Sequence, residues 1–300
     1  MSWPCYVELA QSGELQRRAD MAREALSECR ICPRDCGVNR PAGETGFCGC
    51  DANTVVSSVG PHFGEEPPLV GFGGSGTIFF GGCNLRCIFC QNWELSWGKE
   101  GVVVSSERLA EAMLALQRLG CHNVNFVTPS HFVPQILAAL AVAAGQGFRL
   151  PLVYNTGGYD RIETLCWLDG IFDIYMPDLK YMDGQVAREL STAPDYPEVA
   201  TQAIAEMHRQ VGNLDIDENG IARRGLLVRH LVMPEDKAGT KAAVEFLAGL
   251  SKDTYVNIMD QYRPMYRACE VKAIARRPTF EEYRQACRWA CEAGLHRGFG

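Results

Sequence analysis

The sequence has no long run of basic residues. Lys and Arg number 29 against 36 Asp and Glu, for a net charge of −7, so nothing in it favours a nucleic-acid backbone. It also has no long apolar run. The longest helix-like stretch lies within Ile136–Ala144, well short of the roughly 20 residues that cross a bilayer. The opening Met1-Ser2-Trp3-Pro4-Cys5-Tyr6-Val7-Glu8 lacks the basic and apolar regions of a signal peptide. A cytoplasmic protein with no nucleic-acid and no membrane partner is expected. The glycine-rich Gly71-Phe72-Gly73-Gly74-Ser75-Gly76 lacks the Gly-Lys-Ser/Thr ending of a phosphate-binding loop, and it precedes a strand rather than a helix. Its backbone is expected to approach the loop that follows that strand. Internal repeats and low-complexity tracts are missing too.

Cysteine, in contrast, is abundant, with 14 residues. Without an export signal these are poor candidates for disulfides, which leaves metal ligation or burial. Cys83, Cys87 and Cys90 follow a short apolar run, Thr77–Phe80, that reads as a buried strand ended by Gly81 and Gly82. Three thiolates on one loop hold three irons of a 4Fe-4S cube and leave the fourth iron open to a substrate. A zinc knuckle is the alternative, although zinc sites more often pair two Cys-x-x-Cys units or add histidines. A second group comprises Cys29, Cys32, Cys36, Cys48 and Cys50, among Pro33, Pro41, Gly43 and Gly46. That composition suits a loop folded around a metal. Cys29, Cys32, Cys36 and Cys48 are the candidate ligands of a tetrahedral thiolate site, for zinc or an auxiliary iron-sulfur cluster. Cys287 and Cys291, one turn apart with Tyr283, are expected on the buried face of the last helix.

The 300 residues suffice for one large α/β domain and a small appendage. The appendage is expected at residues 1–60 as a helix and cysteine-rich extension, with the main domain at 61–300. Helical spacing marks 14–28, about 132–144, 159–168, 184–212 and 240–250. Ser106 is expected to cap a helix through Leu119, and Thr279-Phe280-Glu281-Glu282 is a capping box opening a helix through Ala293. Strands are expected at 54–59, 77–80, 123–127, 150–154, 171–176, 225–232 and 255–259, with 213–223 a loop. About six βα units imply a parallel sheet, either an open partial barrel or a doubly wound sheet.

Ligand-binding groups of such sheets come from the loops after the strands. Those loops carry Thr128-Pro129-Ser130-His131, Tyr154-Asn155-Thr156, Asp178-Leu179-Lys180, Arg229-His230 and Asp260-Gln261-Tyr262. Pro129 favours an extended or turn conformation for Thr128. Asp178 and Lys180, two apart on an extended segment, face the same way and suit a zwitterion. Arg229 is a bidentate carboxylate binder by geometry. His230 is equally well read as a core histidine.

Cys83, Cys87 and Cys90, with Phe89 before the last, resemble the signature of the radical S-adenosylmethionine (SAM) enzymes. The N-terminal cysteine block, Glu65-Glu66-Pro67-Pro68, Thr128-Pro129-Ser130-His131, Asp178-Leu179-Lys180, Met259-Asp260-Gln261-Tyr262 and Arg277-Pro278-Thr279-Phe280 extend the likeness to the pyruvate formate-lyase activating enzyme-like group. The resemblance selects the partial (β/α)6 barrel and implies a 4Fe-4S cluster that reductively cleaves SAM to a 5′-deoxyadenosyl radical. It puts Phe89 and Gln261 near the adenine, Thr128 and Ser130 at the amino group, and Asn155 at the ribose or carboxylate. Asp178, Lys180 and Arg229 would lie beside SAM. An electron donor such as flavodoxin or ferredoxin is implied, and hydrogen abstraction from a protein glycine, a peptide or a small metabolite. A non-enzymatic zinc- or cluster-binding protein is the remaining alternative.

Overall fold

A computed structural model describes residues 3–299; Met1 and Ser2, part of the N-terminal stretch read above, lie outside the described residues. The chain opens with helices α1 (Tyr6–Gln11) and α2 (Glu14–Glu24), continued by a 3₁₀ turn at Ala25–Glu28. Residues 29–53 contain only a short 3₁₀ turn, Arg40–Ala42. Then follow β1 (Thr54–His62), α3 (Pro67–Val70), β2 (Ser75–Phe80), α4 (Trp93–Ser96), β3 (Val102–Val104) and α5 (Ser106–Arg118). The middle of the chain alternates β4 (Val124–Val127), α6 (Val133–Gly145), β5 (Leu152–Thr156), α7 (Ile162–Trp167) and β6 (Ile174–Pro177). Next come α8 (Gly184–Ser191), α9 (Tyr196–Val211), β7 (Asp215–Ile216), β8 (Ala222–Leu231), α10 (Thr240–Leu250), β9 (Tyr255–Met259) and α11 (Phe280–Ala293).

The result is a mixed α/β fold with a parallel-rich sheet. Its parallel run is β2-β4-β5-β6-β8-β9, and β1, β3 and β7 join antiparallel. Strands β4, β5 and β6 are almost wholly buried, as parallel strands covered on both faces must be. Period-two alternation divides their side chains. Phe126, Tyr154 and Tyr175 stand side by side in register on one face, and Tyr175 there donates to Gln210 Oε1 on α9 at 2.6 Å. The opposite face carries Asn125, Val127 and Asn155.

Several sequence expectations shift here. Helix α5 is capped by Ser105, whose hydroxyl accepts from Arg108 N–H; Ser106 is its first residue. The 213–223 loop contains β7, paired with β8. The boundary expected after residue 60 falls inside β1, and Tyr6, Leu15, Ala19 and Leu26 share the main core with the sheet. Of the glycine run, Gly73 and Gly76 approach the 120–123 turn, not the cysteine loop: a Cβ on Gly73 would overlap Gly120 O. Cys291 is exposed on α11, while Cys287 is half-buried.

Candidate functional site

A cavity of about 250 Å³ opens at the C-terminal ends of the parallel strands. Its walls include Cys83, Cys87 and Cys90 together with Asn155, Asp178, Lys180 and Arg229. The cysteine loop follows β2 because Gly81 and Gly82 permit a sharp departure. Gly82 sits at φ +80, and a Cβ there would strike Cys50 Sγ at 2.5 Å and Cys48 O at 2.8 Å, so only glycine fits.

Each sulfur of the loop already has a hydrogen-bond donor. Leu85 N–H donates to Cys83 Sγ at 3.3 Å, Ser191 Oγ to Cys87 Sγ at 3.0 Å, and Ser96 Oγ to Cys90 Sγ at 3.2 Å. Donors aimed at sulfur favour thiolate, the form that binds metal. In the unliganded chain, burial pushes the Cys83 thiol up to about 12, and Cys87 and Cys90 beside it add to the rise. A bound metal reverses that preference outright. Among the described residues no group of three or more His, Cys, Asp or Glu side chains is arranged to hold a metal ion. By their chemistry, three thiolates from one loop are the donor set that a 4Fe-4S cube takes at three of its corners.

The charged wall is one connected set. Asp178 accepts from Lys180 Nζ at 2.6 Å and from Arg229 Nε at 2.7 Å. Arg229 Nη2 donates to Asn155 Oδ1 at 2.8 Å, and Glu65 lies 3.7 Å from Nη1. Burial alone would raise the Asp178 carboxyl; Arg229 and Lys180 overcome it and hold the group below the usual range. Burial likewise opposes the Lys180 charge, but Asp178 and then Cys87 outweigh it. All three are therefore charged at neutral pH.

Phe89 is buried between Tyr181 and Tyr262, and it lines the cavity with Gln261 and Thr128. Thr128 adopts φ +60, a left-handed turn residue, the second of the two conformations expected before proline. Its N–H donates to Asn155 O at 2.9 Å. Ser130 does not line the cavity. It is 2% exposed and bonds Thr156 Oγ1 at 3.1 Å, behind the wall. His230 is a core residue, bonded to Leu179 O and Thr240 Oγ1. Cys29, Cys32, Cys36 and Cys48 gather behind the cysteine loop, close enough that the other three raise Cys32 beyond the effect of burial.

Sequence reasoning missed the supports. Tyr196 on α9 places its hydroxyl 2.8 Å from both Gly157 O and Asp178 O, tying two strand-end loops together. Asp160, fully buried, accepts from Tyr154 Oη at 2.9 Å and Thr156 Oγ1 at 2.5 Å. Neither carries a motif, and only the packing reveals them.

The family model of the radical SAM superfamily matches residues 77–216. An uncharacterized protein of Methanocaldococcus jannaschii is 30% identical over 291 residues, spanning 95% of this chain and 80% of its own length. Two solved structures are similar at low identity. A radical SAM methyltransferase from Sphaerobacter thermophilus is 15% identical, with 75% of this chain and 66% of that one covered and a TM-score of 0.48. SuiB of Streptococcus suis, bound to S-adenosylmethionine, is 12% identical, with 73% and 47% covered and a TM-score of 0.47. The superfamily's cofactors are a 4Fe-4S cluster and SAM, and its general reaction is reductive cleavage of SAM. A three-cysteine loop leaving a parallel strand within the matched region, and a relative alike over nearly the whole chain, place this protein in the radical SAM superfamily.

Proposed function

We propose that Cys83, Cys87 and Cys90 hold the 4Fe-4S cluster and that SAM occupies the cavity beside them. The observation that carries this reading is the conjunction of three hydrogen-bonded thiols and an ionised Asp178–Lys180–Arg229 wall around one cavity. When bound, the cluster supplies the electron that cleaves SAM and frees a 5′-deoxyadenosyl radical for hydrogen abstraction.

The chain's own residues bind and orient. Asp178 offers a carboxylate to an α-ammonium group, and Lys180 and Arg229 offer cations to its carboxylate. Asn155 spends its oxygen on Arg229, which leaves its amide N–H groups for the ribose or carboxylate. Phe89 and Gln261 suit the adenine. Thr128 serves the amino group through its strand-end turn, with Ser130 acting through Thr156. The six-strand parallel run supports a partial (β/α)6 barrel, with the segment ahead of β1 as a cysteine-rich extension carrying Cys29, Cys32, Cys36 and Cys48 as a second thiolate site.

Fourteen free thiols fit a reducing cytoplasm. A one-electron donor of the flavodoxin or ferredoxin kind completes the reaction. The hydrogen donor carried forward is a protein glycine, on the likeness of Asp178-Leu179-Lys180 to the activating group; a peptide or small metabolite is the alternative. Anaerobic reconstitution followed by electron paramagnetic resonance of the reduced protein tests the site. A Cys87-dependent iron signal altered by added SAM is expected. A signal indifferent to SAM would sink the reading.

A further inference from the structure

The run 29–53 folds with almost no regular structure, which is uncommon for so long a segment unless it serves a function or something holds it. Backbone bonds close it into a compact knuckle. Cys29 N–H donates to Val38 O at 2.9 Å, Gly37 N–H to Cys29 O at 2.9 Å, and Asp35 N–H to Cys32 O at 3.1 Å. The returning segment brings Phe47 N–H to Cys36 Sγ at 3.3 Å. Gly46 lies so near that a Cβ would meet Cys36 Sγ at 2.9 Å. Four thiols thus share one loop, and one of them already accepts an N–H···S bond. Cys50 differs: its Sγ points at Gly81 O, 3.5 Å away, and at Cys48 O.

This knuckle is tied to the Cys83–Cys90 loop by several contacts. Arg34, between Cys32 and Cys36, donates to Asn84 O at 2.7 Å and to Ser191 O at 2.8 Å; the Ser191 hydroxyl is the donor to Cys87 Sγ. Arg86, inside the other loop, donates to Cys48 O at 3.3 Å. Phe47 lies under both guanidinium groups, at 3.7 and 5.7 Å from its ring centre. Gly82, the neighbour of Cys83, packs so close to this loop that a Cβ on it would meet Cys50 Sγ and Cys48 O. These contacts fix the two cysteine loops side by side, an arrangement that suits electron transfer between two redox centres.

We propose that Cys29, Cys32, Cys36 and Cys48 hold a second iron-sulfur cluster, which Arg34, Arg86 and Gly82 keep in electronic contact with the first. This rests on the reading of Cys83, Cys87 and Cys90 as the first cluster's ligands. In the proposed step one electron passes from a low-potential one-electron reductant, dithionite in the assay, to the second cluster. That cluster then reduces the first by one electron and returns to its oxidised state.

The test is metal analysis and electron paramagnetic resonance of the full chain, reconstituted anaerobically and reduced with dithionite. Wild type, Cys29→Ala/Cys32→Ala and Cys87→Ala/Cys90→Ala are compared. About eight, four and four irons per chain are expected, as two 4Fe-4S clusters require. The wild-type signal should show spin–spin coupling that both double variants lack. Arg34→Leu should keep the iron and weaken the coupling. About four, four and zero irons, or one zinc beside four irons, would overturn the second cluster and leave the first standing. About four, zero and four would instead remove the first-cluster reading, and the electronic contact with it. Eight irons with no coupling in wild type, a result that needs no variant, would also overturn the proposal.

Discussion

Replacing Asp178 with alanine should destabilise the protein strongly, and the structure sets the size. Asp178 bonds Lys180 at 2.6 Å and Arg229 at 2.7 Å, and the three side chains are 17%, 17% and 19% exposed. Removing one partner of a fully buried ion pair costs about 3–5 kcal/mol, because the remaining charge is left uncompensated. Here the residual exposure lets water recover part of that, so about 2–4 kcal/mol is expected. At roughly 2–3 °C per kcal/mol for a chain of this size, Tm should fall by about 4–12 °C. Anaerobic calorimetry with a urea titration as cross-check measures it. Lys180→Met added to Asp178→Ala should recover part of the loss, since it removes one orphaned cation. A loss below about 0.5 kcal/mol would mean an ordinary surface bridge, and the charged wall would no longer be a fixed feature of the cavity.

The same carboxylate fixes a pH dependence. Its folded pKa is depressed, so its stabilising contribution is present above the unfolded value near ~3.9 and disappears as pH falls through the folded one. The stability gap between wild type and Asp178→Asn should therefore be flat from about pH 5 to 8 and shrink below about pH 4, as read by urea midpoints. Asp160→Ala removes the buried acceptor of the Tyr154 and Thr156 hydroxyls, with Ser130 left as a partner for Thr156; a loss of about 1–3 kcal/mol is expected in the same titration. Thr128→Gly relieves a β-branched residue at φ +60 and should leave stability unchanged or raise it by up to about 1 kcal/mol. Gly82→Ala drives a methyl into Cys50 Sγ and Cys48 O, and iron analysis should find the Cys83–Cys90 loop unable to load.

Much of the frame was legible where local signals were unopposed. Helix α10, strand β9 and the Thr279 capping box of α11 fall where spacing and cap chemistry put them. Side-by-side serines defeated the cap assignment at α5, because either hydroxyl satisfies the pattern and only backbone angles choose Ser105. Pro129 left Thr128 a choice of extended or turn conformation, and only the structure shows the left-handed turn, with its N–H bonded to Asn155 O on the neighbouring strand. The charged wall followed from period-two alternation at Asp178 and Lys180. The glycine run misled because close backbone approach says nothing about which neighbour is approached. Tyr196 and Asp160 support the site through contacts that are remote along the chain or hidden in the core, with no motif to announce them.

The central claim is that three thiolates of one loop make SAM cleavage possible in this cavity. Quantifying 5′-deoxyadenosine after anaerobic reconstitution and dithionite reduction tests it most directly, with wild type compared to Cys87→Ala. Wild type should form deoxyadenosine from SAM and Cys87→Ala should form none above background. Equal rates from the two proteins, or none from a fully iron-loaded wild type, would contradict it.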